Sequence, residues 1–287
     1  MFRKRHLIFL PLLLGQVAVS HGEDAVQIVR QAVQTELAAS QNDHSCWLYY
    51  EIDNKPGDKV RQWVAETHSG NVQRVMEQSG QPLSRDAQRR MMDRFIHDQR
   101  KRDEQRKAGS HDDDQATEML KLLPDGFVWT ITGERDNETV LHFTPKADFE
   151  ASDRESRVFS AMEGDMTVDK TQHRIVSLKG RLIHEVKFYW GLGVLKAGGS
   201  FDVERRDTGN SIWQITETHV HMLGNALIFK SISVEEDDAK SQFKSLPSNI
   251  SLEQAEATLL QQGGTSNAFR DSGSDGVRAA GAGQPAM

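Results

Sequence analysis

Between Arg174 and Trp190 the side chains change character with a period of two. Leu178, Gly180, Leu182, His184, Val186, Phe188 and Trp190 fall on one side, and Ser177, Lys179, Arg181, Ile183, Glu185, Lys187 and Tyr189 on the other. An alternation this long marks a strand, here read as Arg174 to Tyr189, with one face covered and one in water. Something apolar must lie over the covered face, and the neighbouring segments decide what.

Those segments are mostly strands as well. Cys46 to Asp53, Lys59 to Thr67 and Asn71 to Gln78 are short aromatic or β-branched runs separated by Asn54-Lys55-Pro56-Gly57-Asp58 and Ser69-Gly70, and form a meander. Further strands are expected at Phe127 to Gly133, Thr139 to Thr144, Met162 to Asp169, Val194 to Arg206, Ser211 to His221 and Ala226 to Val234. The turns between them, including Gly-Leu-Gly, Asp-Thr-Gly-Asn and Leu-Gly-Asn, are too tight for anything but antiparallel neighbours. About ten such strands with few helices cover an apolar face most simply by curling the sheet over it. The expected fold is therefore mainly β (α+β): a curved antiparallel sheet forming an open or half-closed barrel, with helices covering the concave face.

Helices are expected where the period changes. Val26, Val29, Val33 and Leu37, widened by Ile28 and Ala32, give one amphipathic helix behind Glu23 and Asp24. Ser84 can cap a second, in which Ala87, Met91, Phe95, Met92 and Ile96 form a narrow stripe. Arg85 to Lys107 carries nine basic and five acidic residues, so this helix could touch an anionic membrane surface or a partner, or simply be a solvated lid. A third helix is expected from Asp112 to Leu122, started by Asp112, Asp113 and Asp114 and stopped before Pro124. Residues 84–123 thus form a helical insertion in a single β domain of residues 23–250. Short helices are expected at Glu235 to Lys244 and Ser251 to Gln261. From Gly263 the chain is rich in Gly, Ala and Ser, so 251–287 reads as a short helix and a disordered tail.

The N-terminus has the three-part layout of an export signal: Arg3, Lys4 and Arg5, an apolar run Leu7 to Leu14, and small residues through Ala18-Val19-Ser20. Pro11 and Gln16 interrupt the run, which falls short of the roughly 20 residues of a membrane span. Residues 1–22 are read as a signal peptide cleaved near Ser20, which places the mature chain in the periplasm or outside the cell without a transmembrane span. Cleavage removes three cations, leaving 32 against 42 anions and a formal charge of about −10, which disfavours nucleic acid as a partner. Cys46 is the only cysteine, so no intrachain disulfide can form and the core must hold the fold.

Gly164-Asp165-Met166-Thr167-Val168-Asp169-Lys170-Thr171, running into Arg174-Ile175-Val176-Ser177-Leu178-Lys179-Gly180, resembles the strand-turn-strand of the outer-membrane lipoprotein-sorting (LolA/LolB-like) superfamily. The order of helix, interrupted meander and later strands extends the resemblance over most of residues 23–245. It implies an unclosed barrel whose apolar concave face, lidded by helices, holds acyl chains.

Several constellations could carry chemistry. Phe127, Trp129, Phe188, Trp190, Phe201 and Trp213 recur at alternate positions of successive strands, and could line an apolar ligand cavity or pack as ordinary core. His219 and His221 share a side of one strand with Trp213, Ile215 and Glu217, and His184 lies on the apolar side of another; together they are weak metal candidates, otherwise rim or core histidines. Asp43-His44-Ser45-Cys46 sets a nucleophile beside a base, but strand neighbours point to opposite faces, and no Gly-x-Ser-x-Gly elbow is present. Trp190-Gly191-Leu192-Gly193 and Gly198-Gly199 lie between strands and read as hairpin and bulge positions.

The expected function is an exported, non-enzymatic binding protein without a cofactor that holds a lipid or lipoprotein acyl chain. One alternative is an envelope protein-interaction or structural module without a ligand. Another is a metal-dependent hydrolase using His184, His219 and His221.

Overall fold

The computed structural model of the chain describes residues 21–188, 193–226 and 230–263. The signal-peptide stretch, Trp190 and the Gly-rich tail beyond Gly263 lie outside the described residues.

Helix α1 (His21–Asn42) is followed by strands β1 (Cys46–Lys55), β2 (Asp58–Ala65), β3 (Val72–Gln78) and the short β4 (Gln81–Pro82). Helices α2 (Arg85–His97) and α3 (Gln99–Gly126) lead to β5 (Phe127–Arg135) and β6 (Glu138–Pro145). After α4 (Arg154–Phe159) come β7 (Met162–Asp169), β8 (Ile175–Leu182), β9 (Val186–Phe188), β10 (Gly193–Leu195), β11 (Ser200–Asp207), β12 (Trp213–Ala226) and β13 (Lys230–Leu246). Helix α5 (Leu252–Gln261) closes the described chain. The molecule is mainly β, built on one large antiparallel sheet in the order β4-β3-β2-β1-β13-β12-β11-β8-β7-β6-β5, with β9 and β10 off that path. The sheet is not closed into a barrel; β4 and β5 stand at its two ends. No helix among the described residues is long and apolar enough to cross a membrane.

The chain divides into two compact units. The first comprises Met1–Asn42, Gln115–Gln214 and Val220–Val234, and the second Asp43–Asp114, Ile215–His219 and Glu235–Met287. In the first, α1 packs on β5 and β8. Ala25, Val29, Ala32 and Val33, one turn apart on one helix face, are buried against Phe127, Trp129, Leu141, Phe143, Phe159, Met162, Met166 and Leu182. Gly164 and Gly180 face each other across β7 and β8. A Cβ at Gly180 would overlap the Phe201 ring from β11, so the missing side chain is what lets that ring lie across the strand.

In the second unit α2 packs on β3, and α5 on β2 and β3. Their core holds Cys46, Leu48, Tyr50, Trp63, Ala65, Val72, Met92, Ile96, Ala255 and Leu259. Ser84 caps α2 as its sequence suggests, accepting from the Ala87 amide. Ser251 caps α5: its hydroxyl accepts from the Gln254 amide, and its own amide donates to Gln254 Oε1 at 2.9 Å. Ser251→Ala is expected to lower unfolding free energy by about 1 kcal/mol, measured in urea, with no change in fold.

Five segments depart from their sequence reading. Glu235 to Lys244 is strand, not helix: it forms most of β13, which pairs with β1 so that Glu51 opposes Lys240 and Asp53 opposes Asp238. Its alternation is broken by a register shift at Leu48/Tyr50 and by Gln242 at φ 59°, and this hides the period of two. The strand foreseen from Arg174 to Tyr189 stops at Leu182 and resumes at Val186. Likewise Val194 to Arg206 is two strands, parted by a turn with Gly198 at φ 90°, while Leu223-Gly224-Asn225 is not a turn but lies within β12. Finally, Asp112, Asp113 and Asp114 sit inside α3 rather than at a helix start. The break falls at Asp98, whose carboxylate accepts from the Lys101 amide and caps α3.

Candidate functional site

The aromatic residues of the covered face come together in the first unit. Phe127 and Trp129, 3% and 1% exposed, meet Phe143 and Phe159 edge-on or tilted, with ring centroids 4.8 to 6.1 Å apart. The Trp129 indole donates to the Leu123 carbonyl at 2.8 Å. Phe201 packs at the margin of this cluster, 6.2 Å from the Phe159 ring. Trp213 is half-buried and its indole donates to Gln172 Oε1 at 2.9 Å. The Phe188 side chain and Trp190 lie outside the described residues. Alternation along the strands therefore brings Phe127, Trp129 and Phe201 to one apolar layer, and the covering α1 fills the space above it.

Helix α1 is held there by a buried ion cluster. Glu36, 4% exposed, accepts from Arg174 Nε at 3.0 Å and Nη2 at 2.9 Å, and from the Ile175 amide at 2.8 Å. Arg205 reaches the same carboxylate, and Arg174 is itself only 7% exposed. Burial alone would raise the Glu36 pKa, but the Arg174 hydrogen bond and the Arg205 charge outweigh it and hold the carboxyl below its ordinary value. Glu36 continues the series Ala25, Val29, Ala32 by one more turn, and that position on a buried stripe is the signal that could have flagged it.

The candidate metal histidines do not form a site. His184 follows the end of β8 and is exposed, because the strand expected to point it inward is interrupted there. His219 Nδ1 lies 2.8 Å from Asp237 Oδ1, and His221 is two residues further along β12. Among the described residues no three His, Cys, Asp or Glu side chains come together as metal ligands. Ser45 donates to Asp43 Oδ1 at 2.5 Å and accepts from the Trp47 indole at 2.6 Å, so its hydroxyl is tied into a turn. Cys46 is 2% exposed and burial raises its pKa, which keeps the thiol protonated.

A second group of ionisable residues, not foreseen, lies in the second unit. Lys240 stands 3.2 Å from Asp238 Oδ2 and 3.6 Å from Glu51 Oε1, with its ammonium 5.6 Å from the Tyr49 ring centroid. Lys55 bridges Asp53 and Glu236. Glu66 accepts from the Trp47 amide at 3.0 Å. Five carboxylates thus share two ammonium groups, and Asp53 Oδ1 and Asp238 Oδ1 are buried without a hydrogen bond among the described residues. Desolvation raises the pKa of Glu51 and Asp238, and takes Glu66 up to about 7 against the opposing Trp47 hydrogen bond and Lys240 charge. The arrangement can hold a proton near neutral pH. Back in the first unit, an open polar groove of about 550 Å³ runs over β5 to β8, lined by residues that include Thr132, Arg135, Asp165, Ser177 and Lys179.

No protein-family model, curated protein or solved structure matches the chain.

Proposed function

We propose that this chain is an exported, non-enzymatic binding protein that holds an apolar ligand, a lipid or a lipoprotein acyl chain, on the aromatic face of its first unit. The observation that carries this reading is the composition of the layer beneath α1. The buried face of the helix consists of the small side chains Ala25, Val29, Ala32 and Val33, with Val26, Ile28 and Leu37 at its margins, while the strands offer Phe127, Trp129 and Phe143 with Met162 and Met166, and α4 adds Phe159. Aromatic walls with adaptable methionines suit an acyl chain without selecting its head. A helix with small side chains gives up less contact when displaced than one with large side chains. The Glu36 cluster holds the C-terminal half of α1, so its N-terminal half is the part that lifts to admit a ligand. The resemblance to lipoprotein-sorting proteins supports the same reading at the level of fold.

Native mass spectrometry of the full chain, purified from the envelope of its own organism, tests it. The expected spectrum contains one lipid-mass adduct per chain, displaced by a fluorescent fatty acid that then binds one to one. A spectrum without adduct and no uptake of the fatty acid would sink the proposal. The protein-interaction reading has one observation of its own: among the described residues β5 ends the sheet, and its Val128 is 52% exposed, so a protein-mass adduct in the same spectrum would favour it.

A further inference from the structure

Arg74, on β3, is 3% exposed, yet no carboxylate pairs with it among the described residues. Its Nε donates to Gln88 Oε1 at 2.8 Å, and its Nη1 to the carbonyls of Leu259 at 2.7 Å and Gln262 at 2.8 Å. Those bonds cap the C-terminal end of α5 and offset part of the buried charge. The Nη2 amino group carries no hydrogen bond among the described residues.

The helix that holds Nε carries two more guanidinium groups close by in sequence. Gln88, which holds Nε, is flanked on α2 by Arg85 one turn before it and Arg89 next to it. Arg85 and Arg89 are four residues apart, so they project from the same side of the helix. Both are exposed and neither makes an ion pair among the described residues, and Asp86, the acidic residue of that turn, reaches neither. Beyond the cost of burial, the charges of Arg85 and Arg89 depress the Arg74 pKa, and no acid opposes them. The charges of Arg85 and Arg89 thus act on a buried guanidinium that three hydrogen bonds hold in place. An oxyanion placed among them would relieve the repulsion and fill the open donors.

We propose that Arg74, Arg85 and Arg89 form a binding site for a phosphate group, with buried Arg74 as its rigid floor and the two α2 arginines as its walls. This site lies in the second unit and does not depend on the apolar-ligand reading of the first. The phosphate can belong to a free ion or to the headgroup of an anionic lipid, and the chemistry of recognition is the same for both.

The test uses the full chain and two probes, inorganic phosphate and vesicles of phosphatidic acid in phosphatidylcholine. Saturating phosphate, about 100-fold above its Kd, is expected to raise Tm by roughly 5 °C over potassium chloride of equal ionic strength. Arg85→Gln with Arg89→Gln changes two exposed residues and leaves the α5 cap intact, so it is expected to melt normally without phosphate and to weaken phosphate binding by about tenfold or more. Vesicle flotation separates the sources. Binding to phosphatidic acid vesicles, but not to phosphatidylcholine alone, together with loss in the double variant, assigns the site to a lipid headgroup. A thermal shift without flotation assigns it to free phosphate. If neither probe binds, or if the double variant binds as well as the parent, the proposal is overturned.

Discussion

Glu36→Gln is expected to lower unfolding free energy by about 4 kcal/mol, the range found when one member of a buried ion group is removed. The carboxylate receives two hydrogen bonds from Arg174 and one from the Ile175 amide, with Arg205 as a second cation. A neutral amide keeps the shape but leaves two guanidinium charges facing each other, one of them on a residue 7% exposed. It also presents an amino group to donors that need an acceptor. Urea unfolding at pH 7 measures the loss. A value under about 1 kcal/mol would show that the arginines find water or other partners on their own. Glu36→Leu combined with Arg174→Met and Arg205→Met separates charge from packing. If stranded charge is what destabilises the single variant, the triple variant recovers most of the loss, because an apolar cluster of similar volume needs no desolvation of ions.

The contrast between Glu36 and its surroundings shows what could be read from the chain beforehand. Strands bounded by tight turns were legible: Met162 to Asp169 has the same limits in sequence and structure, because its alternation and flanking turn residues act within a few positions of each other. The Ser84 cap was legible for the same reason. The spacing of Glu36 on the α1 stripe was there to read, but its partner was not, since Arg174 lies 138 residues away and only the folded sheet brings it near. Glu235 to Lys244 looked helical because its acidic and basic residues favour no strand, and it becomes one through pairing with β1. Asp112, Asp113 and Asp114 imitate a helix start, yet an exposed helix interior tolerates them, and the real break depends on the Asp98 cap. Of the candidate ligand residues, Phe127, Trp129 and Phe201 come together because alternation decides which face a side chain joins. The histidines do not, because a shared face along one strand says nothing of the distance to another.

The stability of the second unit is expected to fall as pH rises from about 5 to 8, opposite to the usual behaviour of a carboxylate held by cations. Glu66 has its pKa raised to about 7 by burial, above the value it takes in an unfolded chain. Between those two values the folded state binds a proton that the unfolded state has lost. Stability is therefore greatest below the unfolded value and declines until the folded value is passed, by about 3 kcal/mol in all. Glu51 and Asp238, raised by the same burial, add to the decline, and Lys240 faces all three. Glu36 in the first unit works the other way, because its lowered pKa gives stability that is kept above the ordinary glutamate value and lost as pH falls below it. The two units thus favour opposite ends of the range, and the chain as a whole is expected to be most stable in mild acid, near pH 5. Glu66→Gln isolates the cause. The amide keeps an acceptor for the Trp47 amide but cannot ionise, so the variant is expected to match the parent at pH 5 and exceed it by about 3 kcal/mol at pH 8. Urea unfolding across pH 4.5 to 8.5 measures both slopes, and a parent curve that rises from pH 5 to 8 would rule out Glu66 as a buried proton carrier.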